Sequence, residues 1–215
     1  MSSVDQGRIG PLTAGDGVIQ PIRLTRDGSQ AVQEAHARFQ EAVLRGNVYY
    51  LSVGAATPTA YTGGAAGTPL LAIHNPSNNN KVAVLLAIGI SNRAAASAAG
   101  VVGFDTWAGV SAQPTGTQTK PTNAFTQQAA GSSMLGFVNT ALTGSTALSL
   151  VLPVTSYYWA TAASAFLAGN MFLPEGLVSA IPGNEITIGA TAALTSATWD
   201  ITIFWEEVPH TAAGG

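Results

Sequence analysis

The spacing of hydrophobic and polar positions changes period once along this chain. Between residues 29 and 45, Val32, Ala35, Phe39, Ala42 and Val43 recur at helical spacing and fall close to one face. Asp27, with Gln30 three positions on, resembles a capping box, and Arg45 falls in the last turn, where a cation is favourable. Gly46 suits the left-handed residue that closes a helix. The spacing predicts one amphipathic helix over 29–46. From Asn47 onward the period is two. Strands are expected at 48–53, 69–74, 81–91, 100–107, 134–140, 147–152, 157–160, 176–181, 185–189 and 198–208. In 81–90 the even positions Val82, Val84, Leu86, Ile88 and Ile90 carry large side chains, and the odd positions carry mostly small ones. In the last strand Trp199, Ile201, Ile203 and Trp205 share a face opposite Asp200, Thr202 and Glu206. Such alternation marks strands with one core face.

Turn residues separate these runs. The segment 75–80 (NPSNNN) and the triplet Pro182-Gly183-Asn184 are each expected to close a hairpin between flanking strands. Many short strands with such punctuation predict an all-β chain, a jelly-roll-like β-sandwich, rather than βαβ units. The sandwich is expected over 47–209. An extended N-terminal arm over 1–28, stiffened by Pro11 and Pro21, and the helix precede it, and a flexible tail over 210–215 follows. The stretch 111–133 is polar, almost uncharged and rich in Thr and Gln, so it reads as a long loop, which in a compact domain tends to carry function. The Ala-rich stretches 92–100 and 160–170 are candidates for short helices.

Composition sharpens this picture. The 215 residues hold 8 Lys+Arg and 11 Asp+Glu, so charged residues make up 9% of the chain, against about 25% in an ordinary soluble domain. Ten of these charges lie in residues 1–45 and nine in the remainder. The net charge of -3 argues against a nucleic-acid partner, which calls for a basic stripe. Hydrophobic residues at 47% supply a sizeable core. With no Cys, disulfides, thiol catalysis and Cys-based zinc sites are excluded. The first 16 residues are polar with no apolar run, so no secretory signal is expected there, and the longest apolar run, 82–90, is too short to cross a membrane as a helix, so no membrane partner is expected.

Catalytic chemistry is not evident. His36, His74 and His210 are far apart and form no metal-ligand spacing, so neither a metal nor a cofactor is expected. Glu206 and Glu207 are strand neighbours and point to opposite faces, which prevents a carboxylate pair. Asp105 or Glu175 meeting one of them across a cleft would be needed for two-carboxylate hydrolysis. No nucleophile elbow or phosphate-binding glycine motif is present, so the chain is expected not to be an enzyme. Tyr157-Tyr158-Trp159 is a candidate stacking platform for sugars, although aromatic residues in a strand are more often core. The missing charge is more informative. Interface cores are depleted in charge, so a chain that hides its surface against copies of itself can do without it. A homo-oligomer is therefore expected, with the arm and its Arg8, Arg23 and Arg26 as contact residues toward a neighbour.

Three segments carry a resemblance: the helix-to-strand passage 38–53 (RFQEAVLRGNVYYLSV), the stretch 70–91 (LLAIHNPSNNNKVAVLLAIGIS) and the closing run 200–209 (DITIFWEEVP). Together they resemble the capsid cement, or decoration, proteins of tailed bacteriophages. The resemblance implies a non-enzymatic virion structural protein, a homotrimer made in the host cytoplasm and bound to the capsid exterior. There it would bridge subunits of the major capsid protein. A tail, fibre or baseplate component, or a small jelly-roll coat protein, is the alternative in the same structural class. A carbohydrate-binding β-sandwich module is the alternative outside it.

Overall fold

The computed structural model describes residues 39–63, 66–94, 100–143, 148–159, 169–174, 176–193 and 197–210. The chain divides into two compact units, Met1–Glu41 and Ala42–Gly215. The arm, with Arg8, Arg23 and Arg26, and the first ten residues of the expected helix lie outside the described residues. The described helical turn is α1 (Gln40–Leu44). It ends as expected at Gly46, with φ at 74°, where the amides of Gly46 and Asn47 donate to the carbonyls of Val43 and Ala42.

Nine strands of four residues or more follow among the described residues. They are β1 (Val48–Ala56), β2 (Leu71–His74), β3 (Lys81–Ala94), β4 (Gly100–Val110), β5 (Leu135–Val138), β6 (Leu150–Trp159), β7 (Gly169–Phe172), β8 (Asn184–Ala190) and β9 (Thr198–Pro209). They form two antiparallel sheets. The front sheet runs β7-β3-β9-β1 and is extended beyond β1 by Thr122–Asn123; Ser179–Ala180 also pairs with β3. The back sheet runs β6-β4-β8-β2-β5 and is extended by Gln118–Thr119. The chain is thus an all-β protein with almost no described helix.

The inward alternation of both sheets builds one core. Trp199, Ile201, Ile203 and Trp205 of β9 are fully buried between the sheets, as their spacing predicts. They meet Val102 and Phe104 of β4 and Ile186 and Ile188 of β8. Phe104 and Tyr157 pack their rings on Trp199 at centroid distances of 4.8 Å and 4.6 Å. Tyr49 stacks on Trp205 at 6.3 Å.

Three expectations change. In β3 the inward residues are Ala83 and Leu85, then Ile88 and Ile90. Trp205 opposes Leu85 and Phe204 opposes Ala87, so Leu86 is an extra residue, a β-bulge that shifts the inward set from odd to even positions. Val82 and Val84 accordingly stay half-buried on the outer side. Residues 150–152 and 157–159 of the two expected strands belong to one strand, β6. Pro153 still pairs with Asp105, and Val154 beside it is the extra residue of a bulge that shifts the register without ending the strand. Among the described residues β6 is a sheet edge, which is where a strand tolerates proline.

Neither expected hairpin forms. β2 lies in the back sheet and β3 in the front, while Ser179–Ala180 lies in the front sheet and β8 in the back. Segments 75–80 and 181–183 therefore cross between layers. Asn75, fully buried, laces the two crossings together. Its amide donates to the Asn184 carbonyl at 2.9 Å, its carbonyl accepts from Gly183 at 2.8 Å, and its side-chain amide donates to the carbonyls of Lys81 and Ala180 at 2.8 Å. The turn residues read in the sequence are real turns, but turn chemistry alone does not say whether the next strand rejoins the same sheet.

β1 carries another bulge, where Ala55 adopts a φ of 52° and donates its amide to Asp200 Oδ1 at 2.9 Å. A side chain costs about 1–2 kcal/mol in this conformation. Ala55→Gly is expected to gain about 0.5–1 kcal/mol after its greater unfolded-state entropy is set against that relief. A denaturation midpoint that falls would show that the bulge is not strained.

Candidate functional site

The polar stretch 111–133 is not structureless. Gln118 and Thr119 pair with Phe137 and Gly136 on the edge of the back sheet. Thr122 and Asn123 pair with Tyr50 and Tyr49 on the edge of the front sheet. The excursion thus spans the open side of the sandwich and satisfies backbone groups on both edges.

Its tip is a self-satisfied turn. Asn123 Oδ1 accepts from the amides of Phe125 and Thr126 at 2.9 Å and 3.0 Å, and its side-chain amide donates to the Gly46 carbonyl at 2.7 Å. The Asn123 carbonyl accepts from Gln127, which has a φ of 58°, and the Asn123 amide donates to the Gln128 carbonyl. Tyr50 Oη donates to Gln127 Oε1 at 3.0 Å. This network holds Phe125 outward, 54% exposed.

The return limb is fastened by a buried carboxylate. Glu207 continues the inward series of β9 after Trp205 and is 2% exposed. Its carboxylate accepts from the Ser132 hydroxyl, from the Ser133 amide at 3.1 Å, from the Ser133 hydroxyl at 2.8 Å and from Trp205 Nε1 at 3.4 Å. Lys81 Nζ stands 3.3 Å away. Asn79 adds a bond from its side-chain amide to Ser133 Oγ at 2.9 Å. Between the outgoing limb (118–121) and the return limb (129–136) lies a groove of about 340 Å³.

The other candidate residues do not converge on a site. Tyr157 is 8% exposed and packs in the core, so its ring offers no stacking platform. Tyr158 and Trp159 pair through the backbone with Val101 and Gly100 on the edge strand β6. Asp105 sits on the outer side of β4, where burial holds its carboxyl above the usual range. Glu206 faces outward from the opposite sheet and Glu207 faces the core, so the sandwich separates Asp105 from both. Glu175 and His36 lie outside the described residues, and the His210 amide donates to Asn80. Among the described residues no group of three or more His, Asp or Glu side chains could hold a metal ion, and no helix is long and apolar enough to cross a membrane.

His74 is buried at the crossing, opposite Glu185 of β8, and burial lowers its pKa from 6.5. The unfolded chain therefore binds a proton there that the folded chain refuses. Stability from this site is complete above pH 6.5 and is lost as pH falls from 6.5 through the lowered native value. Urea midpoints are expected to fall between pH 7.5 and 5, and to fall less in His74→Gln. Equal slopes in both proteins would remove His74 from the pH dependence.

Comparison of the chain with protein families, with curated proteins and with solved structures gives no match.

Proposed function

We propose that this chain is a non-enzymatic virion structural protein, a jelly-roll capsid cement protein that coats the outside of an icosahedral phage shell and bridges its coat subunits. The strand order supports the jelly-roll part of this reading. β1 pairs with β9, β2 with β8, β3 with β7 and β4 with β6. These are the nested rungs of one long antiparallel hairpin, with β5 at its tip. Wrapping that hairpin so that β9 also meets β3, and β8 also meets β4, gives the two sheets.

The observation that carries the functional reading is the surface. After Asn47 only nine residues are charged, and two of them, Glu185 and Glu207, are buried. Meanwhile Val110, Phe125, Val151, Met171 and Leu177 are each at least half exposed. A neutral surface studded with apolar side chains suits a protein that spends its working life covered by neighbours. Weak contacts repeated around a homotrimer add through effective concentration, which suits a symmetric shell and needs no catalysis.

The test is the copy number of this chain in purified particles, measured by quantitative mass spectrometry against the major coat protein. A simple fraction of the coat copy number is expected. A few copies per particle would move the protein to the tail or fibre, and absence would overturn the virion reading. Deleting residues 1–27 is expected to leave the sandwich folded and to weaken shell binding. Undiminished binding would show the arm to be dispensable.

A further inference from the structure

We draw no further inference here: the strongest candidate, the exposed apolar patch of Val110, Leu150, Leu173, Leu177 and Ile181 along the side of the sandwich bounded by β6 and β7, is a face for which nothing in the structure shows what covers it.

Discussion

Trp205→Ala is expected to destabilise the folded chain by about 3–5 kcal/mol, with a matching drop in the urea midpoint. Trp205 is fully buried, stacks on Tyr49 across β1 and β9, and donates its indole N–H toward Glu207. Alanine would open a cavity in the middle of a layer whose neighbours, Leu51, Leu85 and Ile203, are held by two ladders and cannot close in. Trp205→Phe keeps most of the volume and isolates the indole bond, so its loss should be about 1–2 kcal/mol. A midpoint unmoved by Trp205→Ala would mean that the inward face of β9 is misassigned, and the sandwich with it.

That face was readable because β9 alternates without interruption from Trp199 to Glu207. β3 shows where the same logic stops. Its large residues sit at even positions from 82 to 90, yet the inward set changes parity at Leu86. An apolar run with large side chains on both parities leaves the bulge unmarked, and only pairing with β9 reveals it. The crossings at 75–80 and 181–183 failed for a related reason. Asn, Pro and Gly specify a reversal of direction, whereas the choice of sheet depends on partners far away in the chain. Asn75 is the exception that carries a local mark, since an Asn before Pro with further Asn residues behind it is equipped to satisfy several carbonyls and amides at once.

The candidate site was half legible. Low charge and Thr/Gln content marked 111–133 as a functional excursion, but its two-residue pairings are too short to leave a period-two signature. Tyr157 carried an aromatic signal that burial explains. Phe125 leaves no mark in the sequence, because a single aromatic in a polar loop has no pattern. Only the Asn123 network shows that it is held outward.

Glu207→Ala is expected to cost about 3 kcal/mol and to release the return limb of the excursion. The carboxylate lies on the core face of β9 and collects donors from residues 132–133, some 74–75 positions away in the chain. With it removed, the Ser132 and Ser133 hydroxyls can turn toward other acceptors, and Lys81, a third exposed, can reach water. The Ser133 amide and the Trp205 indole cannot turn, and each buried donor left without a partner costs about 1–3 kcal/mol. Those two losses set the size of the effect. Glu207→Gln keeps the shape and one acceptor oxygen. Its NH₂ can donate to Ser133 Oγ but meets the Lys81 ammonium badly, so about 1–2 kcal/mol should go. Hydrogen exchange separates a local event from a global one. In Glu207→Ala the amides of Ser133 and Met134 should exchange far faster than those of Ile201 and Ile203 under native conditions. Uniform acceleration across β9 would instead make Glu207 a core residue with no special hold on the limb. The limb at 129–136 would then need another anchor.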